Sequence, residues 1–389
     1  MISEKKAQIY GALDEDFEYL KKLWKYCFTD SDAFREWYFE EYYDMNECLV
    51  IKKEGNAVAS LQIIDTKIQM GNAILQAGYI VGVNCLPEYR GQGYTDQLMQ
   101  NALFTYAKEK NLDFMMLMPF EADFYLRYGF CFGTYHYNMT LSIEEFYDKK
   151  AYKDTKPFLW KDAITDNSPL WNDDIPNLYE QWCQKFDGYV VRTRRHWNAF
   201  KNDLYIENGY MKVLYNNRDE AVGYIAYLLQ EEKIYIKEMV YLTDEVREIF
   251  YYFIASHRSQ VKLVEWSASE GERIVYDRKK DKHSVAFYPF MMYLVLKPTI
   301  ISAFASHQPS VDIRFSVKNK GTYIWKKNSD RIIHLSDQVN ESDFVWENES
   351  LTKLIFNGSF SETANGNAST EPLRQLFSKK IQIFNNEYF

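Results

Sequence analysis

The sequence contains no apolar run of the roughly eighteen residues that a membrane-spanning helix needs. Its first residues, Met1-Ile2-Ser3-Glu4-Lys5-Lys6, lack the apolar core of a signal peptide, so a soluble, cytoplasmic protein with no membrane partner is expected. Cysteine is sparse and scattered: Cys27, Cys48, Cys85, Cys131 and Cys183 form no Cys-x-x-Cys pair for zinc or redox work. They read as reduced core residues, and no metal is expected. A basic excess is also missing. The formal charge is −9, and phosphate neutralisation needs a basic face, so nucleic acid is excluded as the main partner. Short basic clusters, Arg192 to Arg195 and Lys279-Lys280, read as solvated faces. An acidic protein is better matched to cationic substrates such as amines.

Two nucleotide motifs are absent as well. No Gly-x-x-x-x-Gly-Lys-Ser/Thr run occurs, and Asp96 stands where Gly-x-Gly-x-x-Gly would need its third glycine. What the chain does have is Val81-Gly82-Val83-Asn84-Cys85-Leu86-Pro87-Glu88-Tyr89-Arg90-Gly91-Gln92-Gly93-Tyr94-Thr95. An apolar strand runs there through a basic, glycine-rich turn into a helix. Such a turn leaves the first helical N–H groups free to meet an anion at the positive end of the helix dipole. Gly91 and Gly93 allow close backbone approach. Tyr94, Leu98, Met99, Ala102, Leu103 and Tyr106 recur at helical spacing, and Asn111 suits the helix end. The strand Phe114 to Met118 then stops at Pro119, so strand, phosphate loop, helix and strand follow in order.

This loop resembles the acyl-CoA loop of the GNAT acetyltransferase superfamily, Gln/Arg-x-x-Gly-x-Gly/Ala, with Arg90, Gly93 and Thr95 at its three defined positions. Thr95 departs from the small residue of the pattern. The resemblance implies acetyl-CoA as cosubstrate, held by Val81, Gly82, Val83, Arg90, Gly91, Gln92, Gly93, Tyr94 and Thr95. At 389 residues, 47% of them hydrophobic, the chain suits two or three domains. Helices over Asp14–Cys27 and Ala33–Tyr43, a hairpin at Leu49–Lys53 and Val58–Ile64, strands at Ile68–Gly71 and Ala73–Val83, the loop and its helix, a short helix at Glu121–Tyr128 and a strand at Phe130–Leu141 give the GNAT order within residues 1–145.

A loop-rich stretch, Lys149 to Asn177, with Pro157, Pro169 and Pro176, leads into a second unit, 146–288. Helices near Leu178–Phe186 and Arg194–Phe200, a hairpin at Ile206–Tyr215 and Ala221–Leu229, a strand at Lys233–Tyr241 and a helix at Val246–His257 repeat the first pattern. No glycine turn follows its strand, so a degenerate GNAT fold without cofactor is expected. A third unit, 289–389, begins near Pro289-Phe290-Met291-Met292-Tyr293. Strands at Val311–Val317, Gly321–Lys326 and Arg331–Leu335, a helix around Leu351–Phe356, an exposed loop at Ser361–Ser369, a helix at Glu371–Phe377 and a strand at Lys380–Phe384 make it a small α+β domain. The fold class is mixed α+β and α/β.

Several runs carry a more specific resemblance: Arg90 to Gly93, Pro119 to Phe130, Val191-Arg192-Thr193 with Trp197, Ile236 to Met239 with Leu242-Thr243, Phe290-Met291-Met292, and a terminal Phe389. Together they resemble the enhanced intracellular survival (Eis) acetyltransferases, in which tandem GNAT folds precede a sterol-carrier-like domain. The resemblance implies a homo-oligomer, a hexamer, and an amine-bearing acceptor. It assigns Tyr125 as general acid and the carboxylate of Phe389, entering the first unit's site, as base. The residues support the first role: Tyr125 follows the strand bearing Met116, and a phenol of pKa about 10 can donate to a thiolate of pKa about 8.5. Tyr128, one turn on, is the rival, and most of the 32 tyrosines must be packing or surface residues. An α-carboxylate of pKa about 3.5 is ionised at neutral pH. Of the six histidines only His136 falls in the first unit, on its last strand, where a lone histidine reads as structural.

Glu121, Asp123 and Glu387 are candidates for negative charge at the pocket mouth, or plain solvated acids. Aminoglycosides, polyamines and lysine side chains all satisfy the amine chemistry. A non-catalytic CoA-binding or lipid-binding protein on a GNAT scaffold is the alternative.

Overall fold

The computed structural model describes residues 7–147, 158–163, 174–272, 284–305, 308–339, 344–357, 376 and 382–386. Glu387, Phe389, Lys279-Lys280, the expected loop at 361–369 and, apart from Leu376, the expected helix at 371–377 lie outside these residues, as does most of the stretch 149–177.

In the first unit, β1 (Ile9–Gly11) edges a sheet continued by β2 (Cys48–Lys53), β3 (Asn56–Met70) and β4 (Ala73–Cys85). Helices α1 (Phe17–Cys27) and α2 (Asp32–Glu41) cover one face. Ser31 starts α2 because its hydroxyl accepts the Phe34 N–H, at 3.1 Å. The helix α3 (Tyr94–Asn101), extended through a π-turn (Ala102–Tyr106) into α4 (Ala107–Glu109), covers the other face. β5 (Phe114–Leu117) runs parallel to β4, and α5 (Ala122–Leu126) and β6 (Cys131–Ser142) follow. Sheet residues alternate between the two layers: Tyr79, Val81 and Met116 pack towards α1 and α2, Ile80, Met115 and Leu117 towards α3. With helices on both faces, β3 is buried without interruption from Ala57 to Ile64. The expected hairpin strand and the strand at 68–71 are thus one long element.

The second unit contains β7 (Leu159–Asp162), α6 (Asp174–Cys183), β8 (Gly188–Val190), α7 (Arg194–Ile206), β9 (Tyr210–Tyr215), β10 (Ala221–Gln230), β11 (Lys233–Tyr241), α8 (Asp244–Ser256) and β12 (Leu263–Ser269). The helix α7 continues through Ile206, where a strand was expected to start. β12 had no counterpart among the expected strands. The strand β13 (Ser284–Val295) then crosses the expected boundary at 288/289 and lies between β5 and β6, antiparallel to both. Residues 289–293 therefore do not open the third unit. Phe290 to Val295 are buried on both faces, as a central strand requires, and Pro289 is accommodated at a register shift. Because β6 pairs in turn with β12, one continuous sheet joins the two units in the order β5-β13-β6-β12-β11.

The third unit has its own sheet, formed by β14 (Ile313–Val317), β15 (Gly321–Trp325), β16 (Ile332–Ser336) and β17 (Phe344–Trp346), with α9 (Asn348–Asn357) packed on β6 and β13. Its core is continuous with that of the first unit through Phe114, Tyr293 and Phe356. Finally, β18 (Ile383–Phe384) pairs with β8, which pairs with β3.

The basic cluster at 192–195 is not a solvated face. Arg192 and Glu238 form a bidentate pair at 2.8 and 2.7 Å with side chains 2% and 1% exposed, and Arg195 reaches Glu47 at 3.2 Å. Tyr179 and Trp197 lie against the Arg192 guanidinium, and the Tyr224 hydroxyl donates to Glu238 at 2.6 Å. Removing one member leaves a buried charge without its counter-ion, which costs about 3–5 kcal/mol. Arg192→Met is therefore expected to lower the unfolding free energy by that amount in urea titration. A loss below about 1 kcal/mol contradicts a pair that stabilises this site.

Candidate active site

The site begins where β4 and β5 part. Their parallel pairing covers only Ala77 to Tyr79 against Phe114 to Met116, while β4 continues to Cys85. On its other side β4 bulges: Leu61 of β3 stands opposite both Gly82 and Val83. Gly82 has φ +62°, and a Cβ there would lie 2.3 Å from Trp24 Cζ3. Only glycine satisfies both demands.

Beyond the bulge, Gly91 and Gly93 adopt φ of +75° and +73° and turn the chain into α3. No side chain caps that helix, so its first N–H groups face outward as an anion site. The Arg90 side chain is anchored by Nε donating to the Cys85 carbonyl at 3.1 Å. A cavity of about 710 Å³ fills the space between the diverging strands and the loop. Val81, Gly82, Val83, Arg90, Gly91, Gly93, Tyr94 and Thr95 all line it; Gln92 does not, and its side-chain carbonyl accepts the Tyr94 hydroxyl at 2.9 Å.

Tyr125 and Glu121 line the same cavity, whereas the exposed Asp123 is not among its lining residues. Burial pushes the Tyr125 phenol up to about 12, so it is protonated at neutral pH. Tyr128 is not brought there. Its hydroxyl donates to Asp96 at 2.7 Å and accepts from Arg127 at 2.8 Å. A five-residue helix thus turns one of the two tyrosines inward and the other outward.

The opposite wall comes from Trp24, Cys27, Phe28, Asp30 and Phe34, on α1, α2 and the loop between them. Sequence reasoning missed these, because aromatics at helical spacing read as core and nothing local ties them to the loop. Asp30 accepts the Trp24 indole N–H at 3.0 Å. Burial raises the thiols of Cys27 and Cys85 above their usual range, so neither supplies a thiolate at neutral pH.

His136 lies away from this cavity, fully buried. Burial drives it down to about 4, so it is neutral, with Nε2 donating to the Asn385 carbonyl at 3.0 Å and Nδ1 3.1 Å from Ser267 Oγ. In the second unit α8 is closed at its start, because Thr243 Oγ accepts the Val246 N–H at 3.3 Å. A second cavity, about 690 Å³, separates α2 from the second unit's sheet and is lined by Trp37, Tyr42, Asp203, Glu207, Lys237 and Asn386 among others. Lys237 pairs with Asp203 and Glu207 across it, at 3.3 and 2.6 Å. Among the described residues no group of three or more His, Cys, Asp or Glu is placed to hold a metal, and no helix is long and apolar enough to cross a membrane.

Two family models, each for an acetyltransferase (GNAT) domain, match residues 8–133 and 188–293 and together take in more than half of the chain. No curated protein sequence matches it. Among solved structures, a probable N-acyltransferase of unknown function from Enterococcus faecalis is 17% identical with a TM-score of 0.81, over 99% of this chain and 100% of its own. A GCN5-related N-acetyltransferase from Anabaena variabilis is 19% identical with a TM-score of 0.81, over 97% and 99%. Eis1 from Mycobacterium abscessus is 14% identical with a TM-score of 0.76, over 99% and 100%. These likenesses are likenesses of fold, and they extend across the whole chain. With two acetyltransferase domains in tandem and the overall fold of Eis1, the chain belongs to the GNAT acyltransferases.

Proposed function

We propose that this enzyme transfers acetyl from acetyl-CoA to a primary amine in the cavity of the first unit, by direct attack in a ternary complex. The observation that carries the reading is the convergence on one cavity of diverging strands, an uncapped helix start behind two left-handed glycines, and a buried phenol. These residues fit the cosubstrate. The pyrophosphate is matched by the turn Arg90 to Gly93 and the start of α3, and the pantetheine arm by the backbone of Val81, Gly82 and Val83 at the bulge.

In the transfer, the amine nitrogen bonds to the acetyl carbonyl carbon, the carbon–sulfur bond breaks, and the sulfur leaves as a thiolate that needs a proton. Tyr125 supplies it. The ammonium form of the acceptor must first lose its proton, and the Phe389 carboxylate, as in the resemblance to Eis, takes that role directly or through water. Because Cys27 and Cys85 stay protonated, direct attack is favoured over an acyl-cysteine route. Glu121 and Asp30, both on the cavity wall, give it the acidic character that draws a cationic acceptor. Glu387 is a further candidate for that charge. Aminoglycosides, polyamines and lysine side chains remain the acceptor classes of this reading. The core shared between the first and third units favours a supporting role for the sterol-carrier-like domain over lipid carriage.

Tyr125→Phe is expected to lower kcat for a good amine by about 100-fold in a thiol-release assay, within the range for one general acid. A value within a few-fold of wild type removes the assignment. The sign of the pH dependence follows from the raised value near 12: the acid form persists through pH 10, so the wild-type rate has no alkaline limb from this group there. An apparent pKa near 10 that vanishes in Tyr125→Phe contradicts its burial. For the base, a short extension appended after Phe389 is expected to cut kcat strongly while thermal melting stays unchanged. Unaltered turnover in that variant takes the carboxylate out of the mechanism.

A further inference from the structure

The second unit repeats the geometry that makes the first one a binding site. β11 and β12 run parallel and pair only from Lys233 to Ile236 against Leu263 to Trp266, after which both strands continue apart. On its other side β11 also bulges, with Lys237 as the extra residue opposite the Ala226/Tyr227 step of β10. A strand gap beside a bulge leaves backbone groups outside the ladder, and they need partners. In the first unit that position opens on the cofactor cavity. In the second, the gap holds the chain's own residues 385 and 386.

The Asn386 side-chain amide donates to the carbonyl of Lys237 at 3.0 Å and reaches Glu238 Oε2 at 3.4 Å. Across the gap the Asn385 carbonyl accepts His136 Nε2–H, and His136 is held in turn by Ser267, the first residue of β12 beyond the paired stretch. The segment is fixed upstream as well. Gln382 accepts the N–H groups of Asp187 and Gly188 at 3.0 and 3.2 Å, β18 pairs with β8, and Phe384 packs on Trp182 and Phe186. Its other side faces the first unit: the Asn385 amide lies 3.5 Å from the Tyr293 hydroxyl and 4.0 Å from Met116 Sδ. Met116 is the β5 partner of Tyr79, the last paired residue of β4 and a wall of the cofactor cavity. The segment therefore bridges the strand gap of one unit and that of the other.

We propose that the degenerate second unit is a receptor for residues 382–386, and that His136, Asn385, Asn386 and Ser267 are positioning residues for acyl transfer because they aim the residues that follow at the first unit's cavity. The inference rests on the reading of the terminal carboxylate as base. Three further residues at about 3.3 Å each span roughly 10 Å, enough to reach from Asn386 towards a cavity whose wall Asn385 already approaches. Thr243 and the absence of a glycine turn fit the same division of labour, since the second unit's gap needs no anion site.

The test is a double-mutant cycle between His136→Leu and removal of residues 387–389, read as kcat and as KM for acetyl-CoA. Truncation alone is expected to lower kcat. His136→Leu in the full chain is expected to lower kcat by ten- to hundredfold, the scale of a misplaced catalytic group, with KM for acetyl-CoA unchanged. In the truncated chain the same substitution is expected to add nothing. His136→Gln, which can still donate to the Asn385 carbonyl, should recover most of the rate. Equal losses in both backgrounds reduce His136 to a structural role and overturn the inference. No loss in the full chain, with truncation still harmful, overturns it while leaving the base in place. A harmless truncation overturns the base reading itself and this inference with it. Should His136→Leu fail to fold, Asn386→Ala at the edge of the gap carries the same comparison.

Discussion

Everything functional in this protein follows from a backbone constraint at Gly82. The long sheet cannot pair β4 with both neighbours along its full length, because the residue facing Leu61 is doubled and the chain turns left-handed against Trp24. The indole fills the space a side chain at this position would need. The bulge and the short pairing with β5 create the gap, and the gap creates the cavity. The helix start behind Gly93, the phenol of Tyr125 and the aromatic wall from α1 and α2 are then arranged around a space the sheet has already opened.

The two acetyltransferase units show how little separates a cosubstrate site from a docking site for the chain itself. Each has a central strand that bulges and then parts from its parallel neighbour. In the first the following helix starts uncapped behind glycines; in the second Thr243 supplies the cap. Exchange of strands reinforces the pair, because β13 completes the first unit's side of the sheet and β6 carries it into the second. The units are thereby one rigid platform, and a residue placed by one can be aimed at the other.

What was legible in the sequence was local. The turn Arg90 to Thr95, its preceding strand and its following helix are contiguous, and their glycines and apolar spacing state their purpose directly. Tyr125 was legible as a candidate because it follows closely on β5, but the choice between it and Tyr128 needed the direction each faces. Contacts across long stretches of chain were not legible. Trp24, Phe28 and Phe34 look like ordinary core aromatics until the fold sets them opposite the loop. The run Phe290 to Val295 has no alternation, since both its faces are buried, and a run without periodicity does not reveal which sheet it enters. Arg192 looked solvated because its partner, Glu238, stands 46 residues away.

The account's central claim is that the strand gap of the first unit, and only that gap, takes the cosubstrate. Calorimetric titration with acetyl-CoA measures it most directly. The account predicts one molecule bound per chain, binding abolished by Gly93→Val, where a branched side chain cannot hold the left-handed turn, and binding unchanged by Thr243→Ala in the second unit. Two molecules bound per chain, or full affinity in the Gly93→Val variant, would contradict it.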